Sequence, residues 1–283
     1  MIWFKRMRRS PALLALLALT AALIALAVLA PVIAPNDPIT PDYDNLLSGP
    51  SARYPLGTDQ VGRCILSRLI WGGRSSLLLA VGAIAASAVL GIALGVIAGL
   101  RGGWADTALT WLMNLTLSLP ETVFVIAFVG LLGPGLGHTA LAMILVGWCE
   151  YAATARTLTQ SLRDRPFMDE ARLSGIGAPG LLMKYVLPNV SPYLIVLITQ
   201  DMGAKLLSLA GLSLLGLASQ PPTPEWGFML SEGRRYMQTA PWMILYPGLT
   251  IVLHVVAFSL LGDRLRDILQ PEAGQGKKGE ILS

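Results

Sequence analysis

Charged side chains inside long apolar runs are the residues of this sequence whose types and spacing could do chemistry. Asp201 and Lys205 stand four positions apart within the run 188–217. At helical spacing they share one face, where they could pair with each other. An ionised side chain at the centre of a bilayer costs about 2.5 to 3.5 kcal/mol unless it is paired or faces water. Two interpretations stay open: a self-neutralising structural pair, and a polar patch that faces a translocation path.

Two further carboxylates could belong to such a path. Glu121 and Glu150 also stand inside apolar runs, and Glu121 directly follows a proline. We take Asp201, Lys205 and Glu121 as the candidate translocation path, with Glu150 as a weaker case of the same kind.

Metal and redox chemistry find little support in the pattern. His138 and His254 are lone histidines, which are more typical of packed or interfacial positions than of metal ligands. No cluster of His and Cys has metal-ligand spacing, so we predict neither a metal site nor a cofactor. Cys64 lies in a polar loop and Cys149 in an apolar run, so a disulfide between them is not expected.

The composition indicates which elements carry these residues. The chain has 283 residues, of which 54% are hydrophobic and 13% charged, and its mean hydropathy is +0.61. Soluble domains carry about 25% charged residues, so this is the composition of an integral membrane protein. At about 20 apolar residues per span, no room remains for a large soluble domain. Any catalytic domain must therefore lie on another chain.

The apolar runs predict an all-α, polytopic membrane protein with six transmembrane helices. Pro120 should kink the third helix, because proline removes a backbone donor. Ser87, Gly91, Gly95 and Gly99 recur every four residues in the second, so another helix can pack closely there. The predicted spans are 11–34, 77–100, 107–132, 139–155, 188–217 and 241–261.

Positive charge predicts the orientation of these spans. With the N-terminus in the cytoplasm, 14 Lys and Arg residues fall in the inside segments and 6 in the outside segments. Short loops rich in Lys and Arg stay in the cytoplasm, so both termini, 1–10 and 262–283, are expected inside and 35–76 becomes a periplasmic loop. The sequence pI of about 9.2 then reflects topology, and no nucleic-acid partner is predicted.

A polar, turn-rich segment interrupts the five-helix core 77–261. The loop 156–187 is far longer than a helix connection needs and should lie in the cytoplasm. Within it, Pro166 could start a short helix that Gly175 and Gly177 end. The segment is either a docking element for a partner or a solvated loop without one.

This loop carries a family resemblance. The stretch "DEARLSGIGAPGLLMKYVLPN" resembles the cytoplasmic "EAA" loop in permease subunits of binding-protein-dependent ABC importers. That loop has an acid-Ala-Ala group, a glycine six residues after the acid and a Leu-Pro pair thirteen residues further on. Counting back from Pro188 puts the glycine at Gly175 and the acid at Asp169. The chain reads Asp169, Glu170, Ala171, so either acid could play the family's part.

Other stretches widen the resemblance to most of residues 56–271. "LGTDQVGRCILSRLIWGGRSSL" is similar to "LGTDxxGRDxxSRLxxGxRxSL", a stretch of the second permease subunit in the dipeptide, oligopeptide and nickel branch. "PGLTIVLHVVAFSLLGDRLRDILQP" resembles the end of that subunit. The family pattern has Asp where this chain has Cys64, so an acid contact usual at that position is missing.

The resemblance implies a type I ABC importer permease in the bacterial inner membrane. Its partners would be a second permease subunit, two ATP-binding subunits and an extracytoplasmic substrate-binding protein. The loop at Asp169 to Gly175 would sit in a groove of an ATP-binding subunit, which hydrolyses the ATP. "GQGKKGE" at 274–280 lacks the Ser or Thr that follows the lysine of a phosphate loop, so we interpret it as a flexible basic tail.

The cargo and the protein class leave alternatives. Within the branch, di- or oligopeptides and nickel or metal chelates both remain open, because permease subunits seldom determine the cargo alone. A six-helix channel or a membrane enzyme is the alternative class. A channel should show a filter segment or rings of charge, and an enzyme a cluster of His or acids at one membrane face. The sequence displays neither.

Overall fold

A computed structural model describes residues 10–270, and the regular structure in this part of the chain is helical. The basic residues at 5–9 and the tail at 274–280 lie outside the described residues. The helices are α1 (Pro11–Val28), α2 (Ala30–Ile33), α3 (Ile65–Arg101), α4 (Gly103–Leu117), α5 (Glu121–Leu132), α6 (Leu136–Arg163), α7 (Pro166–Leu173), α8 (Ala178–Leu181), α9 (Leu187–Leu214), α10 (Trp226–Gly233) and α11 (Trp242–Leu269).

Four helical stretches of the described chain are long and apolar enough to cross a membrane. They are α1, α3, α11 and the continuous stretch from α8 through α9. The pair α4 and α5 makes a fifth if the two helices are counted as one broken span. The axes of these two helices are bent by 77° at the break between them. The break falls at Pro120, which confirms the predicted kink.

The predicted count of six is not reached by this criterion, because α6 fails it. The run 139–155 forms the first half of α6, and the helix continues to Arg163 through a more polar second half. The face of α6 that contains Ala152 and Ala155 is buried against other helices. Because its partners are protein rather than lipid, α6 can carry polar residues that a lipid-facing helix could not.

Small residues bring α3 and α6 into close contact, as the four-residue spacing predicts. A methyl group on Gly91 would collide with the carbonyl oxygen of Trp148, and one on Gly99 would lie 2.8 Å from Cβ of Thr159. Residues later in α3 contact residues later in α6, so the two helices run parallel. The chain between them must return to the end of the bundle where α3 begins.

The broken span α4–α5 makes this return. Near its start, Asp106 pairs with Arg156 close to the end of α6. Further along, Val129 of α5 packs in one buried cluster with Met143, near the start of α6. The two halves of the broken span therefore pass along α6 in the opposite direction.

Both described ends of the chain lie at the end of the bundle where α7 packs, which we call the α7 end. Leu13, in the first turn of α1, shares a buried cluster with Val196 of α9 and with Leu265 and Leu269 at the end of α11. Leu194, two residues from Val196, packs with Met168 of α7. The two described ends of the chain therefore lie at the same end of the bundle, and the cytoplasmic placement of the termini stays a prediction.

The opposite end, which we call the α10 end, is closed by a buried network of charges. Arg63 Nε lies 2.6 Å from Asp59 Oδ2, and Arg63 Nη2 lies 2.8 Å from Glu232 Oε1. Arg68 Nη2 lies 2.6 Å from Glu232 Oε2. The network joins the segment before α3 to α10, so residues far apart in sequence form one rigid cap.

The start of α3 differs from the prediction. The helix begins at Ile65, so residues 65–76 belong to α3 and not to a loop that ends at 76. Cys64 occupies the N-cap position and makes no side-chain cap hydrogen bond. Asp, which the related stretch carries here, is among the best N-cap residues, so with Cys64 this helix lacks a side-chain cap.

The segment before α3 has its own polar contacts. The Tyr54 hydroxyl donates a hydrogen bond of 2.6 Å to Asp42 Oδ2, and the Asn45 side-chain amide donates to the same oxygen at 3.0 Å. These two donors lower the pKa of the Asp42 carboxyl, the tyrosine having the larger effect. The Asp42 carboxylate therefore stays ionised to a more acidic pH than an ordinary aspartate.

Candidate functional site

The predicted short helix within the loop 156–187 exists as α7, which begins at Pro166. Proline suits the first turn of a helix because its missing N–H has no helical acceptor there. Met168 and Ala171 are buried against Val96 of α3 and Val190 of α9. One face of α7 thus anchors it to the membrane helices, which leaves the other free for a partner.

Gly175 ends α7 for a conformational reason. Its φ is +79°, in the left-handed region that favours glycine. The N–H of Ile176 donates to the carbonyl of Ala171 at 3.1 Å, and the N–H of Gly175 donates to that of Arg172 at 2.9 Å. This is the Schellman arrangement, which satisfies the last carbonyls of a helix. A methyl group at Gly175 would meet no atom within 4 Å, so backbone angle and not space requires glycine.

The two candidate acids of α7 differ in their surroundings. Asp169 pairs with Arg172 at 2.9 Å, and its side chain is 63% exposed. Glu170 is exposed and, within residues 10–270, makes no ion pair. Leu173 is 89% exposed at the end of the same helix. An apolar tip beside acids is the kind of surface that a partner protein covers.

Pro188 lies in the first turn of α9, directly after a π-helical turn at Leu182–Val186. Proline removes a hydrogen bond to the preceding turn, and a π turn is one way that a helix accommodates such a loss. The helix axis nevertheless continues from α8 into α9. The Leu-Pro pair therefore lies where the loop 156–187 joins the membrane helix.

Lys205 pairs with Glu121 and not with Asp201, so the self-neutralising pair, one of the two interpretations left open, is not the arrangement found. Its Nζ atom lies 2.6 Å from Oε1 of Glu121, and the lysine side chain is 6% exposed against 39% for the glutamate. Asp201 and Lys205 do share a face of α9. The carboxylate that binds the lysine nevertheless comes from another helix, because Glu121 lies at the start of α5.

Asp201 has a different partner, which the sequence did not reveal. The Tyr151 hydroxyl donates to Asp201 Oδ2 at 2.6 Å, and both side chains are buried. Glu150, next to that tyrosine in the sequence, is exposed. The cluster of Glu121, Asp201 and Lys205 therefore holds two carboxylates and one ammonium group.

A cavity of about 310 Å³ opens beside this cluster. It lies between α5, α6 and α9, and Glu121 and Ser208 supply polar groups to a wall that is otherwise mainly apolar, with Val125 and Met143. The carboxylate of Glu121 thus faces both its lysine partner and open space. A polar group of a transported molecule could reach it there.

A second ion pair, missed in the sequence, fastens the start of the broken span. Arg156 of α6 binds Asp106 of α4 through both guanidinium and carboxylate groups, with Nη2 to Oδ2 at 2.7 Å. Gln160 donates to the same carboxylate at 3.1 Å. The residues are fifty positions apart, and no local spacing pattern reports such a contact.

The histidines lie apart from the candidate path. His254 is 5% exposed, and its ring centroid is 4.4 Å from that of Trp226, so the packed interpretation is confirmed for it. His138 is exposed at the start of α6 and contacts the Gly133 carbonyl through Nδ1. Within residues 10–270, no group of three or more His, Cys, Asp or Glu side chains is arranged to hold a metal ion.

Comparisons with known proteins agree on one family. The family described as "binding-protein-dependent transport system inner membrane component" matches residues 91–275. A di/tripeptide transport system permease protein of Pseudomonas aeruginosa (strain UCBPP-PA14) is 42% identical over 87% of this chain and 83% of its own length. The nickel transport system permease protein of Escherichia coli (strain K12) is 39% identical over 84% and 86%.

A solved structure supports the fold. The inward facing MetNI methionine ABC transporter has a chain that matches with a TM-score of 0.55 and 17% identity. The match covers 71% of this chain and 95% of that chain. At this identity the likeness concerns the fold alone.

Proposed function

Because the chain belongs to the family of binding-protein-dependent transport system inner membrane components, we propose that it forms one half of the translocation pore of an ABC importer for short peptides. It is a multi-pass permease subunit of the inner membrane, and ATP is hydrolysed on separate subunits. The family assignment removes the alternatives of an unrelated channel or membrane enzyme. The observation that carries the proposal is an exposed acidic helix, α7, anchored by its buried face to the membrane helices.

The first step of the proposed mechanism is the movement of α7. The exposed face with Asp169, Glu170 and Leu173 docks in an ATP-binding subunit, while Met168 and Ala171 hold the helix against α3 and α9. Closely packed interiors transmit displacement rather than absorb it. When the two ATP-binding subunits close on ATP, α7 therefore moves with them and displaces α9.

The second step carries this displacement to the pore. The stretch 178–214 is one helical unit, and Lys205 on it grips Glu121 at the start of α5. Glu121 directly follows the break at Pro120, where the span bends by 77°. A shift of α9 thus pulls on the hinge of the broken span, which would switch access between the two sides of the membrane.

Six spans fit the packing better than five. Because α3 and α6 are parallel and α4–α5 runs back between their ends, α6 extends along the same depth as α3. We therefore count α6 as the sixth span, buried among its neighbours. The positive-inside rule then puts the α7 end, together with both termini, in the cytoplasm.

The proposed cargo follows from charge and from relatives. Two carboxylates and one ammonium group at the candidate path give a net negative charge, which favours a cationic group such as the protonated amino terminus of a peptide. One relative is a di/tripeptide permease protein, another a glutathione permease protein and another a nickel permease protein. Nickel is the second candidate, because a metal cation suits the same field.

The coupling role is tested in the complete importer, reconstituted from both permease subunits, the ATP-binding subunits and the binding protein. The double reversal Asp169→Lys with Glu170→Lys should abolish ATP-driven uptake and weaken retention of the ATP-binding subunits in detergent. Asp164→Lys is the matched control, since Asp164 is an exposed acid, 74% exposed, that lies just before α7. Normal uptake by the double variant would refute the coupling role.

The cargo is tested with the same vesicles and a panel of radiolabelled solutes. Di- and tripeptides with free amino termini should enter in an ATP-dependent manner, and N-acetylated versions should enter more slowly. Uptake of nickel without any peptide uptake would replace the peptide proposal with the nickel one. Uptake of neither class would show that the importer serves another solute.

A further inference from the structure

An apolar groove runs along α3, and its wall contains none of Glu121, Asp201 and Lys205. Its volume is about 810 Å³, and it lies between α1, α3, α9 and α11. Its wall is formed by apolar side chains from all four helices, among them Ile24, Leu77, Val81, Ala85, Met202 and Phe258. In a membrane, a gap of this kind is filled by hydrocarbon or by another helix.

The groove exists because α1 approaches its neighbours closely at its two ends. Near the α7 end, Leu13 packs against Leu265 of α11. Near the α10 end, a methyl group on Gly73 would lie 3.3 Å from Cβ of Ala27. Between these contacts Ile24 lines the groove, and Ala27 and Val28 line it at the α10 end of α1. The gap is therefore fixed by packing on both sides.

Arg74 is the one charged residue in the wall of this groove. It is exposed, and its guanidinium carbon lies 5.7 Å from the ring centroid of Trp71. Among residues 10–270, no carboxylate pairs with it within 4.0 Å. An arginine beside a tryptophan is typical of the membrane interface, where the cation meets lipid phosphates.

The geometry along α3 fits a lipid of the leaflet at the α10 end. Gly72, two residues from Arg74, packs on Trp226 of that end. From Arg74 to Ala85 the helix rises about 16 Å, at about 1.5 Å per residue. That is about half of the ~30 Å hydrocarbon core. An acyl chain that enters below Arg74 would therefore reach the middle of the bilayer within the groove.

We propose that this groove is a binding site for an anionic phospholipid. The phosphate group pairs with Arg74, and an acyl chain lies along Val81 and Ala85 between α1 and α3. A zwitterionic lipid binds less well, because its own ammonium group already neutralises the phosphate that Arg74 would pair with. The bound lipid completes the packing of α1, so the site stabilises the peripheral helix of the permease.

Native mass spectrometry of the complete importer tests this proposal with phosphatidylglycerol and phosphatidylethanolamine as probes. The wild-type importer should retain phosphatidylglycerol in preference to phosphatidylethanolamine. Arg74→Gln should remove that preference, with at least a tenfold lower ratio of the two lipids. Val81→Phe, which narrows the groove, should lower the retention of both. Arg235→Gln is the control, because Arg235 is exposed near the same end but outside the groove.

Two results would overturn the lipid site. One is an unchanged preference for phosphatidylglycerol in Arg74→Gln when the importer is fully assembled by size-exclusion chromatography. The other is a cross-link from Ala85→Cys to a helix of the sister permease in most molecules, which would make the groove a subunit interface. A failure of uptake in the vesicle experiments would bear only on the proposed function, because lipid retention is measured without transport.

Discussion

Lys205 and Glu121 meet across two helices, with 2.6 Å between Nζ and Oε1, although 84 positions separate them in the sequence. The lysine is almost fully buried, and the glutamate stands at the hinge of the broken span. A buried charge without a partner is costly, so the lysine depends on this contact more than the half-exposed glutamate does. The pair therefore links the stability of α9 to the position of α5.

Charge exchange within this pair gives the first prediction. Glu121→Lys alone should reduce uptake about tenfold or more and lower the midpoint of thermal unfolding, because it sets two ammonium groups together. Adding Lys205→Glu regenerates the pair in reverse and should restore most of the unfolding midpoint. Removing one partner of a fully buried pair costs about 3 to 5 kcal/mol, and the exposure of Glu121 keeps this cost at the lower end.

The measurements are thermal unfolding of the purified importer and uptake into vesicles, arranged as a double-mutant cycle. Asp201→Lys with Lys205→Asp is the informative comparison, because the structure gives these residues separate partners, Tyr151 and Glu121. The Asp201/Lys205 exchange should leave the midpoint of thermal unfolding clearly below that of the wild type. If it restored stability as well as the Glu121 exchange does, the cross-helix pair would lose its assigned importance.

The left-handed backbone at Gly175 gives the second prediction. Gly175→Ala should destabilise the end of α7 by about 1 to 2 kcal/mol, because a side chain disfavours this conformation. Gly175→Asn should recover part of the loss, since Asn tolerates left-handed angles. Hydrogen exchange of α7 in the assembled importer measures the effect.

The control for this prediction is two residues away. Gly177 has φ of −70°, so Gly177→Ala places no side chain in a disfavoured conformation. Its exchange rates should stay near those of wild type. Equal effects of the two alanine variants would mean that the loop needs glycine for a reason other than backbone angle.

The close contact of α3 and α6 gives the third prediction. A methyl group on Gly95 would collide with the carbonyl oxygen of Ala152, so Gly95→Leu should force the helices apart and abolish assembly of the importer. Gly82→Leu on the same helix is the matched control, because a methyl group there meets nothing within 4 Å. Assembly of Gly95→Leu at the wild-type level would contradict the packing described here.

Local features of the fold could be predicted from the sequence, and distant contacts could not. Pro120 and Pro166 act through backbone geometry within a few residues, and the four-residue spacing around Gly95 marks a face for close packing without naming the partner helix. The partner of Lys205 could not be predicted from the sequence, because α5 and α9 meet only after the chain has folded back. Sequence spacing favoured Asp201 for this reason, although a carboxylate on another helix lies closer.

The charge network at the α10 end gives the last prediction. Glu232 accepts from both Arg63 and Arg68, at 2.8 and 2.6 Å, and both arginine side chains are at most 5% exposed. Glu232→Gln should leave two buried cations with only Asp59 to neutralise them, at a cost of about 3 to 5 kcal/mol. The variant should therefore unfold at a clearly lower temperature and become sensitive to proteases at the cap.

Asp44→Asn, which removes an exposed acid from the same end, should unfold at the wild-type temperature. A Glu232→Gln variant as stable as Asp44→Asn would show that the network contributes little, and the cap would then owe its rigidity to the packing of Trp226 on α3.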